Sequence, residues 1–224
     1  MKKTIASIFC AFVIVITVAF VDLREPAIAV DGPPIPFHVV LDAGHGGRDR
    51  GASANGLFES EVNLAVVLEL RREFIIRGAT VTLTRENENS LANPLARNQK
   101  RSDMARRRQI IEQANPNLVL SIHMNTYARD TRVRGLQTFF QRGNEVSRAF
   151  AVAIQNQINQ TTFPMFRHPK MGDYYVLNET NVPAVLIECG FLTNPDEARL
   201  LGTIEYQRFL AHHIVTATLA KVNS

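Results

Sequence analysis

The sequence predicts an α/β fold: a single three-layer domain built on a mostly parallel, twisted sheet of about five to six strands with helices on both faces. Three observations predict it. Apolar runs of the kind that make buried strands, such as Val39-Val40-Leu41 and Leu118-Val119-Leu120, alternate along the chain with helical patterns. The 224 residues are enough for one sizeable domain and too few for two. No internal repeat or low-complexity tract points to a solenoid or an array.

The first 29 residues read as a targeting segment. Lys2-Lys3 supply the positive start, Thr4 to Val21 is almost wholly apolar, and Ala27-Ile28-Ala29 is a small-x-small cleavage site. The apolar run is long for a signal peptide, so a membrane anchor is the alternative. Either way the chain from Asp31 onward is expected outside the cytoplasm, and the membrane is met only through this segment. Cys10 lies within it, which leaves Cys189 alone and no intrachain disulfide. Residues 30–37, with three prolines, form a linker, and 38–224 the domain.

Strand one is expected at 38–44, and helix one from Glu59 to Arg77, stopped by Gly78. The β-branched run Thr80-Val81-Thr82-Leu83-Thr84 reads as strand two, and 86–97 as a polar loop. A helix follows from Asn98 to Ala114 with Met104, Ile110 and Ile111 inward, ended by Asn115-Pro116-Asn117. Strand three is Leu118 to His123 and strand four Leu136 to Phe140. Glu145 to Gln160 is a helix with Phe150, Ala151, Ile154 and Ile158 on one side. A loop over 161–173 leads to a short extended piece, Tyr174 to Leu177. Strand five is Ala184 to Glu188. Asn194-Pro195-Asp196-Glu197 opens a short helix with Asn as cap, Pro in first place and Glu in third. Ile204 to Val222 closes the chain as a helix.

In open α/β sheets the carboxyl ends of the strands form the ligand edge. Strand one ends at His45, between glycines that leave the ring unshielded; strand three ends at His123, and strand five at Glu188. Glu59, at the start of helix one, shares that edge. Two imidazoles and a carboxylate make a zinc-binding trio for one ion, with a fourth position left for water of lowered pKa. Glu188 is then the carboxylate that moves the proton to the leaving nitrogen.

Four segments carry a resemblance. Asp42-Ala43-Gly44-His45-Gly46-Gly47, the run from Glu59 to Leu64, Ser121-Ile122-His123-Met124-Asn125 and the run from Glu188 to Asn194 resemble, in order, the signatures of the zinc-dependent N-acetylmuramoyl-L-alanine amidases of type 3. The resemblance spans about residues 37–222 and is strongest to the germination-specific, spore-cortex branch. It implies hydrolysis of the amide between the lactyl group of N-acetylmuramic acid and L-alanine of the peptidoglycan stem peptide, in spore cortex or in wall remodelling. It implies His45, Glu59 and His123 as metal ligands and Glu188 as the catalytic glutamate. The family usually has Lys-Asp after its ligand glutamate where this chain has Ser60-Glu61, which sets Glu61 against Glu59; the match of Val62-Asn63-Leu64 favours Glu59.

Asn125, Arg107 and His168 are further candidates for substrate or supporting contacts. Arg106-Arg107-Arg108 reads mainly as a solvated helix face, although Arg107 matches a recurrent family arginine and is a candidate brace. His168 sits with Arg167 and Lys170 in a loop expected to line the substrate groove. Cys189 is expected as a small buried residue, and His38, His212 and His213 as structural or surface groups. A net charge of +4 and a pI of about 9.3 suit a polyanionic partner, here peptidoglycan rather than nucleic acid. Two alternatives share the residues: a zinc peptidase acting on stem peptides, and a catalytically silent wall-binding or regulatory domain. A phosphate loop at Gly44-His45-Gly46-Gly47 is disfavoured because the Lys-Ser/Thr ending is missing. No wall-binding module is recognised, so an activating or targeting protein partner is expected, with weak zinc binding or slow action by the isolated domain.

Overall fold

The computed structural model describes residues 34–161 and 166–223. The targeting segment and the first part of the linker lie outside them. The elements in chain order are β1 (His38–Ala43), β2 (Ser53–Ala54), β3 (Leu57–Phe58), α1 (Glu59–Ile76), β4 (Thr80–Leu83), α2 (Gln99–Ala114), β5 (Leu118–Asn125), β6 (Gln137–Phe140), α3 (Glu145–Asn159), β7 (Lys170–Met171), α4 (Tyr175–Asn178), β8 (Ala184–Phe191), α5 (Pro195–Leu201) and α6 (Ile204–Val222).

Six strands form one sheet in the order β4-β1-β5-β8-β6-β7. Its pairs are parallel except β6 with β8, which run antiparallel. The mostly parallel sheet read from the sequence is therefore the one observed. Successive strand residues face opposite sides, and both sides are buried. Val39, Leu41, Leu118, Leu120, Val185 and Ile187 face the larger layer, where α1, α3 and α6 contribute Leu70, Phe74, Ile154, Leu210 and Ile214. Val40, Val119 and Leu186 face a thinner layer made with Ile111 of α2 and Val176 and Leu177 of α4. Among the described residues no helix is long and apolar enough to cross a membrane.

Helix α1 follows directly on β3, opens with Glu59 and Glu61, and ends at Arg77 with Gly78 in the left-handed region. Helix α2 is capped by the Asn98 side chain, which accepts from the Arg101 N–H, and ends on Asn115 in the left-handed conformation. Of the three residues expected to face inward from α2, only Ile111 is fully buried. Its neighbour one turn back, Arg107, is buried with it.

The structure corrects three expectations. Tyr174 to Leu177 is not extended: Tyr175–Asn178 makes one helical turn, with the Leu177 and Asn178 N–H groups donating to the Tyr174 carbonyl. Val176 and Leu177 are both buried against the same cluster, which a strand cannot arrange for adjacent residues but a helical turn can. A hairpin, β2 with β3, occupies part of the polar loop after β1. Its turn is Asn55-Gly56, both with positive φ (51° and 80°), the pairing that suits a two-residue hairpin. Finally, Lys170–Met171 joins the sheet as its edge strand beside β6.

Candidate metal centre

Three separate stretches meet at the carboxyl edge of the sheet. Chain leaving β1 brings His45, α1 opens with Glu59, and β5 carries His123 near its end. Glu59 Oε1 lies 2.9 Å from His123 Nδ1 and 3.2 Å from His45 Nε2. One donor atom from each of the three lies within 4.8 Å of the others. Glu59 is buried, and its other oxygen accepts the Ala52 N–H at 2.8 Å. Glu61 is exposed on the helix, so Glu59 is the carboxylate that joins the histidines.

The close approach depends on two missing side chains. A Cβ on Gly44 would lie 2.2 Å from the His123 ring, and one on Gly51 would lie 2.5 Å from Glu59 Oε2 and 2.7 Å from the His45 ring. Gly51 also has φ +66°, which other residues rarely adopt. His45 itself has φ 63°, an unusual conformation for a residue with a Cβ and one found where surrounding structure imposes it.

That imposed conformation comes from two buried guanidinium groups beneath the loop. Arg107 Nη1 donates to Asp42 Oδ1 and to the Ala43 carbonyl, each at 2.6 Å; Nη2 donates to the His45 carbonyl and Nε to Asp103 Oδ2. Arg85 Nε donates to the Ala43 carbonyl at 2.9 Å, and its Nη2 to the carbonyls of Gly44 (3.1 Å) and Ser60 (2.7 Å). Asn63 Nδ2 adds a second donor to the Gly44 carbonyl. The fork geometry of arginine suits this convergence of carbonyl oxygens. Asp42 is itself buried, which alone would raise its pKa. The Arg107 charge and hydrogen bonds from Ser121, Thr84 and Arg107 outweigh burial and bring it to about 2.

The electrostatics of the trio suit a cation. Burial works against ionisation of Glu59, yet His123 and His45 hold its carboxyl well below the usual range. Burial also disfavours a charged His45, but Glu59 first and Asp49 second raise its pKa. Asp49 Oδ1 lies 3.0 Å from His45 Nδ1, the supporting contact expected behind a ligating imidazole. The three groups thus place an ionised carboxylate between two ring nitrogens, a donor set that suits a divalent cation.

Glu188 stands beside this trio on β8, in register with His123 of β5 and Gln137 of β6. It is 9% exposed, and its Oε2 is buried without a hydrogen-bond partner. Burial pushes its carboxyl up to about 7; the His123 charge opposes this and Glu59 adds to it. Trio and Glu188 line one cleft of about 1020 Å³. A buried, partnerless carboxylate next to a two-imidazole, one-carboxylate cluster fits a hydrolytic metal site in both donor set and proton-transfer group.

The remaining sequence candidates divide. Asn125 lines the cleft, with its Oδ1 accepting the Thr126 N–H. Arg107 also reaches the cleft but is no solvated residue: it is 2% exposed, while Arg106 is exposed and Arg108 pairs with Glu112 on the surface. A charge run was read as one face, although only every third or fourth position of a helix points inward. His168 stands apart. It is exposed, it does not line the cleft, and its backbone carbonyl serves Gln137. Cys189 is buried, and burial pushes its thiol pKa up, as fits an inert core residue. His38 bonds Thr82, His212 lies against Glu73, and His213 against Gln157.

Sequence reasoning missed Arg85, Asp49 and Glu197. Arg85 follows directly on a β-branched strand at the ligand edge, which was its available signal. Asn194 caps α5 as expected, but the buried Glu197 does not return to that cap: its carboxylate accepts the N–H groups of Phe191 and Gly135, fastening the chain just past Glu188.

The family model for N-acetylmuramoyl-L-alanine amidases (Amidase_3) matches residues 39–220. The chain belongs to this amidase family. Among similar proteins of Bacillus subtilis (strain 168), it is 36% identical over 179 residues to the uncharacterized protein YqiI, covering 79% of this chain and 81% of that one. It is 32% identical over 185 residues to a germination-specific N-acetylmuramoyl-L-alanine amidase, covering 81% and 78%. Among solved structures, the CwlD amidase of Clostridioides difficile, in complex with the GerS lipoprotein, superposes with a TM-score of 0.80 at 33% identity, over 84% of this chain and 98% of that one. The amidase fold read from the sequence and the enzyme class are therefore those of the family.

Proposed function

We propose that this amidase is zinc-dependent and that His45, Glu59 and His123 hold the ion while Glu188 handles the proton. The bond cleaved joins the lactyl group of N-acetylmuramic acid to L-alanine of the stem peptide. The single observation that carries the mechanism is the buried, unpartnered Oε2 of Glu188 in the same cleft as the trio. Zinc, when bound, supplies Lewis acidity, making water nucleophilic near neutral pH and polarising an amide carbonyl. Glu188, with a carboxyl pushed to about 7, takes a proton from the attacking water and returns it to the departing L-alanine nitrogen. Arg85 and Arg107 hold the carbonyls of the ligand loop and keep the donors in place.

The setting we propose is outside the cytoplasm, on spore cortex or on wall undergoing remodelling, with export through the N-terminal 29 residues. The likeness to a germination-specific amidase supports the cortex. We further propose that a protein partner targets or activates the domain, a reading supported by the complex of CwlD with a lipoprotein.

The test combines metal analysis with product analysis. The purified domain should bind about one zinc per chain, and digested muropeptides should show a free lactyl carboxylate together with stem peptide beginning at L-alanine in the mass spectrum. Glu188→Gln should keep its zinc and lose the products. Cleavage within the stem peptide would move the protein to the peptidase alternative, and undiminished digestion by the Glu188 variant would overturn the mechanism.

A further inference from the structure

One wall of the cleft carries two cations that the hydrolytic machinery leaves unused. Arg48 stands at the tip of the ligand loop, and Lys100 in the first turn of α2. Both are exposed, both line the cleft that holds the trio, and neither forms an ion pair or hydrogen bond with the described residues. The nearby carboxylates are committed elsewhere: Asp103 to Arg107, Ser90 and the Leu91 N–H, and Asp49 to His45. Lys100 lines the same cleft as Asp49, the residue that sits beside His45.

This wall is also stiff. Asn98 caps the helix, Ser102 Oγ accepts the Asn93 N–H, and Gln99 Nε2 donates to the carbonyls of Asn93 and Ala96. No acidic residue occupies the first turn of α2, so the helix dipole adds to the positive field there. Asp173, Tyr174 and Tyr175 also line the cleft. Unpaired cations beside a reaction centre favour a substrate anion at a fixed distance from the scissile bond.

We infer that Arg48 and Lys100 form a subsite for the free α-carboxylate of the second stem-peptide residue, so that the enzyme prefers D-glutamate over its amidated form, D-isoglutamine, at that position. The inference rests on the amidase reading above. In that substrate the D-glutamate follows the scissile L-alanine directly and is linked through its side-chain carboxyl, which leaves its α-carboxylate as the first anion beyond the bond that breaks. The preference is electrostatic, so it weakens with salt.

The experiment uses the zinc-loaded full domain and two muropeptides identical except for D-glutamate or D-isoglutamine. It also measures binding of the two matching stem peptides by calorimetry. The expected result is about a tenfold preference for the acid, in kcat/KM and in binding. In Lys100→Gln and in Arg48→Gln that ratio should fall towards one. Equal treatment of both muropeptides and both peptides by the parent, or an undiminished ratio in both variants, overturns the inference. A binding preference that the variants abolish, with no hydrolysis of either muropeptide by the parent, supports the subsite and sinks the amidase mechanism instead.

Discussion

Replacing Asp42 by Asn tests whether the buried Arg107 pair holds the ligand loop. The substitution keeps shape and the capacity to meet Ser121 and Thr84, but removes the charge facing a guanidinium that is 2% exposed. Two routes give the magnitude. The fall of the Asp42 carboxyl from 3.8 to about 2, at about 1.4 kcal/mol per pH unit, corresponds to about 2.5 kcal/mol of folding stability. Stranding one partner of a buried pair costs about 3–5 kcal/mol, and Asp103, still 2.6 Å from Arg107 Nε, keeps the loss near the low end. We expect about 3 kcal/mol by urea unfolding of metal-free protein at neutral pH. Because the folded carboxyl is more acidic than the unfolded one, the parent's share of this stability is full above about pH 4 and lost as pH falls from about 4 towards 2. The difference between parent and variant should shrink across that window. A variant within about 0.5 kcal/mol of the parent at neutral pH, or a difference flat with pH, would refute the reasoning.

Three further outcomes are expected. Arg85→Lys loses the fork that joins Ala43, Gly44 and Ser60, so zinc affinity in a chelator competition should drop by about 10–100-fold; an unchanged affinity would reduce Arg85 to a bystander. Gly51→Ala places a Cβ 2.5 Å from Glu59 Oε2 at φ +66°. It should destabilise by more than about 1 kcal/mol in thermal melts and weaken metal binding, and a variant that binds zinc like the parent would show that the ligands tolerate displacement. Zinc at about a hundred times its dissociation constant should raise stability by about 2.7 kcal/mol, and a chelator should reverse the gain together with muropeptide hydrolysis. Hydrolysis that survives thorough chelation would exclude the metal from the reaction.

What was legible in the sequence follows from which forces are local. Strands such as Val39–Leu41 and Leu118–Ile122 announce themselves by composition, since burial on both faces demands continuous apolar runs. The edge on which His45, His123 and Glu188 gather follows from the direction of parallel strands. The reading of Tyr174 to Leu177 as a short extended piece fails because a single turn has too few residues for a period to show. Arg107 was half seen: a positive residue inside a run of three gives no hint that its helix turns it inward, and the partner that does most to make that burial tolerable, Asp42, lies 65 positions earlier. Arg85 and Glu197 act through backbone carbonyls and N–H groups of distant segments, partners that have no letter in a sequence. The hairpin at Asn55-Gly56 was legible and was overlooked within a polar stretch.

The spacing of the metal donors along the chain has a consequence for the order of events in the life of the molecule. Residues 45, 59 and 123 come together only when the first strand, the first helix and the central strand are already assembled on one another. An ion therefore cannot nucleate this structure as it does in a zinc finger. A chain cut before residue 118 would hold two of the three donors with no third to complete the group. The three donors thus report on the joining of the first strand, the first helix and the central strand, and on nothing beyond it.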